Sequence, residues 1–209
     1  MKLYFMRHGM TDWNLEDKIQ GQADIPLNDF GKNQAEQASI AISNINFDKC
    51  YYSPLIRTKE TALRALKGQK NCPLFKYDRV IEISYGVCEG DFIPDIRKNP
   101  HHPLHNYLIN PEFFIPPKRG ESIPSIVKRA QIFLDEIKNE ADNNKNILIV
   151  SHGGFIRAVI MAVQKLPPQF FRKTREQKNC AVTVFEFKDG KWKLLQDAVD
   201  ILAGEKLCD

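Results

Sequence analysis

Asn146-Ile147-Leu148-Ile149-Val150-Ser151-His152-Gly153-Gly154 is the stretch on which the fold turns. Residues 147–150 are continuously apolar, as a strand buried on both faces requires. The run stops at Ser151-His152, and Gly153-Gly154 leads into an apolar segment of helical length reaching about residue 164. A buried strand that hands over to a helix is the repeating unit of an α/β protein. The chain start repeats the pattern, with an apolar run at 3–7 ending in His8-Gly9.

Further strands are predicted at 47–52 and 75–83. Helices are predicted at 31–43, where Ala35, Ala38 and Ile42 follow helical spacing, and at 53–67. In the latter, Ser53 reads as the N-cap and Pro54 as the first helical residue. The clearest helical period lies within 122–140, with Ile126, Val127, Ala130, Phe133, Leu134 and Ile137 on one core-facing side. Segments 181–187 and 191–195 meet across Asp189-Gly190, a hairpin signal. The expected fold is a three-layer α/β/α sandwich with a mostly parallel sheet and one terminal hairpin. A single domain, 1–209, accommodates it.

Segment 91–119 breaks the alternation. It carries six of the 12 prolines and three of the five histidines, His101, His102 and His105. Proline fixes φ and removes a backbone donor, so the segment reads as an irregular cap insertion over a site.

Composition narrows the partners. Hydrophobic residues at 43% and charged residues at 27% exclude a disordered or fibrous chain. The net charge of +4 is weakly clustered; the densest basic run, Arg172-Lys173-Thr174-Arg175, meets Glu176 at once. A nucleic-acid partner would ask for a longer basic stripe. No apolar stretch approaches the ~20 residues of a membrane span, and no signal peptide follows the start. Five cysteines, odd in number and without a Cys-x-x-Cys pair, read as reduced thiols of a cytoplasmic protein.

Both His-Gly sites stand at carboxyl ends of predicted strands, where open α/β sheets bind ligands. The Gly153-Gly154 helix start favours an anion. Arg7 beside His8 points to a phosphoryl group, whose oxygens a guanidinium grips with parallel donors.

The chain resembles the histidine phosphatase superfamily, also called the phosphoglycerate-mutase-like family. The resemblance runs through Arg7-His8-Gly9-Met10-Thr11-Asp12-Trp13-Asn14, Gln20-Gly21-Gln22-Ala23-Asp24-Ile25-Pro26-Leu27, Gly31 and Gln34-Ala35. It continues in Ser53-Pro54-Leu55-Ile56-Arg57-Thr58, Glu60-Thr61-Ala62, Glu82-Ile83-Ser84-Tyr85-Gly86 and Glu89-Gly90. Gly120-Glu121-Ser122 and Ser151-His152-Gly153-Gly154 complete it. The blocks span residues 3 to about 160 in the family's order.

The resemblance implies a phosphoglycerate-mutase-like fold and a phosphohistidine mechanism. His8 would be the nucleophile and Glu82 the proton donor. Arg7, Arg57, His152 and the Asn14 amide would surround the phosphoryl oxygens. Gln20 and Gly21 would touch the rest of the substrate, and Gly153 would lie at the phosphate. No metal and no cofactor are implied. The Ser-Pro-Leu-x-Arg-Thr form at 53–58 looks like the phosphatase branch, acting on a small phosphorylated metabolite through an acid-type mechanism. Cofactor-dependent mutase transfer is the runner-up, followed by a non-catalytic phospho-ligand-binding protein.

His101, His102 and His105 could suggest a metal site. Pro103 between them and the lack of a carboxylate motif favour a solvated or substrate-facing loop. Phe113, Phe114 and Ile115 would line an apolar part of the pocket or pin the cap. Cys88, close to the expected pocket, would make activity sensitive to oxidation. The terminal hairpin and the tail 197–209 leave a homodimer open.

Overall fold

The computed structural model describes residues 1–140 and 145–208. Strands β1 (Lys2–Arg7), β2 (Lys49–Tyr52), β3 (Leu74–Lys76) and β4 (Asn146–Ser151) run parallel. The hairpin β5 (Val182–Lys188) and β6 (Lys191–Val199) adds to the β1 edge, with β5 antiparallel. The sheet order is β3-β2-β4-β1-β5-β6.

Side-chain alternation along the strands divides the core into two layers. Leu3, Phe5, Ile147 and Ile149 share one cluster with Ile126, Ala130, Phe133 and Phe155 of helices α6 (Ile123–Ile137) and α7 (Gly153–Gln164). Tyr4, Met6, Leu148 and Val150 face the other way. They pack with Ala35, Ala38 and Ala62 of α2 (Asp29–Ala41) and α3 (Ile56–Ala65). Phe5 anchors the first layer, edge-to-face with Phe133 and Phe185 at 5.8 and 5.5 Å. Each such pair contributes roughly 0.5–1.5 kcal/mol beyond simple burial. The arrangement is the expected three-layer sandwich. No helix among the described residues is long and apolar enough to cross a membrane.

The β1–β4 register decides where the chemistry falls. Arg7 lies opposite Ser151, so His8 and His152 leave the sheet side by side. The next residues stay tied to the edges, with His8 N–H donating to Ser151 O at 3.0 Å.

Three predicted elements differ. The strand expected over 75–83 is only Leu74–Lys76, because its one neighbour, β2, ends at Tyr52. A 3-10 turn at Asp78–Val80 follows, and irregular chain then leads to Glu82. Ser53 does not cap α3, whose N-cap is Leu55; instead Asp24 Oδ1 accepts from Ile56 N–H at 2.7 Å. The cap is not irregular throughout, since it holds short helices α4 (Ile93–Lys98) and α5 (His105–Ile109). Proline is tolerated in α4 because Pro94 stands in its first turn, where amide donors have no helical acceptor. Ile96, Leu104, Tyr107 and Phe114 are buried in the same cluster as Phe5 and bind the cap to the sheet layer. In the tail, Ile201 is buried with the α2–α3 layer, and Leu207 and Cys208 pack against it; residue 209 lies outside the described residues.

Candidate active site

The loop after β1 is held from the helices beneath it. Thr61 Oγ1 of α3 accepts from Gly9 N–H at 3.0 Å, and Gln34 Oε1 of α2 accepts from Met10 N–H at 2.9 Å. Gly9 and Gly31 nearly touch, and a Cβ on Gly9 would lie 2.5 Å from Gly31 O. This contact fixes His8, which is 3% exposed. Its Nδ1–H donates to Gly9 O at 2.7 Å, which leaves the lone pair on Nε2.

The His152 ring lies 5.3 Å from the His8 ring, centroid to centroid. Its Nε2 pairs with Ser53 Oγ at 2.7 Å, while the buried Nδ1 has no partner. Burial holds both imidazoles well below the usual histidine pKa, reinforced by the positive charges of Arg57 and Arg7. Both rings are therefore neutral near pH 7.

Arg57 is fully buried. Its Nη1 and Nη2 donate to Ala23 O and Gly21 O, each at 2.7 Å, so the Gln20–Gly21 turn is locked onto the guanidinium. Gly21 adopts φ +55, a conformation glycine takes without strain. Burial pushes the Arg57 guanidinium down to about 10, which leaves it charged at neutral pH. Arg7 Nη1 donates to Gln177 O at 2.6 Å. The Nε atoms of Arg7 and Arg57, like Gln20 Oε1, are buried without a partner. Asn14 closes the short helix α1 (Asp12–Leu15) through a capping box with Thr11; because its Oδ1 is the acceptor there, its amide N–H groups remain free to donate.

Glu82 sits at the start of α7. Its Oε2 accepts from Gly154 N–H at 3.0 Å, and its Oε1 accepts from Phe155 N–H at 3.0 Å and Ile83 N–H at 2.9 Å. His152, the α7 N-cap, offers no side-chain cap, so a carboxylate from outside the helix does that work. A Cβ on Gly154 would lie 2.5 Å from Glu82 Oε1, so glycine there lets the carboxylate reach the helix start.

Arg7, His8, Asn14, Gln20, Gly21, Arg57, Glu82 and Gly153 all line one cavity of about 610 Å³. His152 is not among its lining residues; it is fully buried, with its ring beside that of His8. A larger groove of about 720 Å³ between α2 and the tail contains Arg7 but none of His8, Arg57 or Glu82. The smaller cavity is therefore the candidate site. A neutral nucleophilic nitrogen, two guanidinium groups and a carboxylate around one space suit the transfer of a phosphoryl group.

The profile of the histidine phosphatase superfamily (branch 1) matches residues 3–199. The chain belongs to this superfamily. It is 32% identical over 189 residues to the uncharacterized phosphatase PhoE of Bacillus subtilis, covering 90% of each chain. It is 32% identical to phosphoserine phosphatase 1 of Hydrogenobacter thermophilus, over 78% of this chain and 76% of the relative. A phosphoserine phosphatase mutant from Entamoeba histolytica, solved with phosphoserine, superposes with a TM-score of 0.80 at 33% identity, covering 94% and 96% of the two chains.

Within this superfamily site, several residues contribute in ways that the sequence motifs did not assign. Ser53 holds His152, and Asn179 Nδ2 donates to His8 O at 2.9 Å. Arg129 Nη1 donates to Arg79 O and Ile81 O, each at 2.7 Å, while its Nη2 pairs with Glu121 Oε2 at 2.7 Å. Arg129 thus steadies the chain leading into Glu82. The Gly120-Glu121-Ser122 block hinted at this through Glu121, whereas nothing local marked Asn179.

The cap histidines do not face the cavity. His101 is exposed and His105 Nδ1–H donates to Ile96 O at 3.0 Å. His102 Nδ1 accepts from Leu104 N–H at 3.1 Å, so its Nε2–H points to Asp91 Oδ2, also at 3.1 Å. Cys88, Asp91 and His102 place their ligand-type atoms within 4.8 Å of one another. A metal on Nε2 would require the opposite tautomer and two opposed N–H groups at Leu104. Cys88 lies outside the cavity wall, and burial raises its thiol to about 11, away from the reactive thiolate. Phe114 packs on Tyr107, with Phe113 and Ile115 exposed; all three lie outside the cavity lining.

Proposed function

We propose that this protein is a metal-independent, acid-type phosphomonoesterase acting on small phosphorylated metabolites. The supporting observation is the gathering of His8, Arg7, Arg57, Asn14 and Glu82 around one cavity, with the lone pair of His8 on Nε2. His8 Nε2 attacks phosphorus, the bond to the ester oxygen breaks, and the leaving alkoxide takes a proton that the substrate monoanion brings and the Glu82 carboxylate relays. A phosphohistidine results. Water then attacks that phosphorus while Glu82 takes up its proton, and phosphate leaves with His8 restored. Arg7, Arg57 and Asn14 stabilise the three non-bridging oxygens, with the buried His152 ring packed beside the nucleophile, and charge placement carries most of the rate. Guanidinium and amide donors supply that stabilisation without a divalent ion. The cysteines are unpaired, which fits a reducing cytoplasm. The name of the Hydrogenobacter thermophilus relative supports a small phosphorylated substrate.

The test is hydrolysis of p-nitrophenyl phosphate in excess EDTA. Turnover persists if this reading is right, and His8→Ala lowers it by at least about a thousandfold while vanadate still binds. An active His8→Ala protein would remove the proposed nucleophile.

A further inference from the structure

Gln22 stands between Gly21 and Ala23, the two residues whose carbonyls hold Arg57. Its own contacts run towards the acid. The side-chain Nε2–H donates to Glu82 O at 2.9 Å, and the backbone N–H donates to Glu89 Oε1, also at 2.9 Å. One residue thus belongs to the turn that grips the phosphate-site arginine and also touches the main chain of Glu82.

Glu89 completes the connection. The same Oε1 accepts from Tyr85 N–H at 3.1 Å, on the chain leaving Glu82. It lies so close to the turn that a Cβ on Gly21 would stand 2.3 Å from it. Backbone bonds extend the seam: Gly90 N–H donates to Ile19 O at 2.8 Å, and Ile19 N–H donates to Asp91 O at 3.0 Å. Gln22 and Glu89 are half-buried, and neither lines the cavity. Whatever they add to turnover must pass through other side chains.

Those side chains need a link. Arg57 comes from α3 and Glu82 from irregular chain, and no hydrogen bond among the described residues joins them directly. Helix α7 fixes the Glu82 carboxylate alone. Its carbonyl end is held by Gln22 Nε2 and, at a longer 3.4 Å, by Arg129 Nη2. A misplacement of about 1 Å can cost about a hundredfold in rate, so play between the two groups would be felt.

We infer that Gln22 and Glu89 are positioning residues, a brace that keeps the proton-relaying Glu82 in register with the phosphoryl oxygens held by Arg57. The inference rests on the phosphatase reading for its kinetic consequences, but not for its effect on binding.

Leaving groups test it, through kcat/KM for p-nitrophenyl phosphate and for the alkyl ester glycerol 2-phosphate. Nitrophenolate departs without a proton, whereas an alkoxide needs one. Glu82→Gln sets the scale of that difference. Gln22→Met keeps the length of the side chain but has no N–H to donate. It is expected to lower kcat/KM about tenfold for the alkyl ester and less than about threefold for the aryl ester. Glu89→Ala frees the Arg57 turn and loses several-fold on both esters, and Glu89→Gln, which retains an acceptor oxygen, recovers most of that loss. Vanadate titrations, which need no turnover, should show affinity several-fold weaker in Glu89→Ala and near wild type in Glu89→Gln. Thermal melts confirm that each variant is folded; should Glu89→Ala fail to fold, Glu89→Ser takes its place. If wild-type protein hydrolyses neither ester, the phosphatase reading fails while the vanadate affinities still judge the brace. A Gln22→Met protein that keeps wild-type kcat/KM, or loses equally on both esters, overturns the inference, as does wild-type vanadate affinity in Glu89→Ala.

Discussion

The floor and the outer wall of the cavity are built in opposite ways. On the floor, Arg57, His8, His152 and Glu82 are at most 9% exposed, and each is fixed by a short hydrogen bond. Most of these partners are main-chain groups, so the constellation is placed by the sheet register and the helix starts rather than by side-chain choice. On the outer wall, Arg97 is exposed and Arg172 is held by one aromatic face. Phosphoryl transfer needs atoms fixed to fractions of an ångström. Choosing among substrates needs only charge of the right sign at the right distance, and looser side chains suffice.

Arg57→Ala strains this comparison most. It removes a charge from the reacting centre and leaves Gly21 O and Ala23 O without their donors. A fall of about 10²–10³ in kcat/KM is expected, together with a lower melting temperature. The outer-wall Arg172→Gln should match neither effect. If both substitutions acted alike, the division between floor and wall would be wrong.

Gly154→Ala comes next. The added methyl meets Glu82 Oε1 at 2.5 Å and displaces the carboxylate without touching His8 or Arg57. Steady-state kinetics should show kcat down by about tenfold or more with KM little changed, since proton transfer is disturbed and phosphate binding is not. An equal loss carried entirely by KM would place Glu82 in binding instead.

The smallest effect concerns pH. His8 and His152 are held neutral when folded but titrate near 6.5 when unfolded, so the unfolded chain takes up protons that the native one refuses. Their contribution to stability is full above that pH. It declines as pH falls from about 6.5 towards the lower folded values, by at most about 1.4 kcal/mol per pH unit for each imidazole. Urea melts from pH 7.5 to 5 should follow this slope, and His8→Gln should flatten it. A slope of the opposite sign would mean that a ring is charged in the native state.

Much of the floor was legible in the sequence. The 147–150 run, the two His-Gly strand ends and the blocks around Arg57 and Glu82 placed the fold and the central residues, because a strand end is a local signal. Roles created by distant partners were not legible. Ser53 has the local pattern of a helix cap, yet its hydroxyl serves a ring 99 positions away, while Asp24 caps the helix. The strand predicted after residue 76 is missing because its neighbour stops, and no residue within the segment records that. The histidines at 101, 102 and 105 suggested a solvated or substrate-facing loop; His101 is exposed, while His102 and His105 tie the cap to itself, through Leu104, Asp91 and Ile96. The outer arginines were given no role there, Arg97 in the cap and Arg172 in a short basic run, since their meeting is a property of the folded chain.

The capping of α7 by Glu82 carries an evolutionary consequence. Active-site residues are commonly a burden on stability, and lineages that lose an activity can drift towards sturdier proteins by replacing them. Here the same carboxylate closes the first turn of a central helix, so discarding it sacrifices robustness along with turnover. Descendants that abandoned this chemistry would be under pressure to keep the glutamate, and its presence in a distant homologue would be weak testimony that the homologue is still an enzyme.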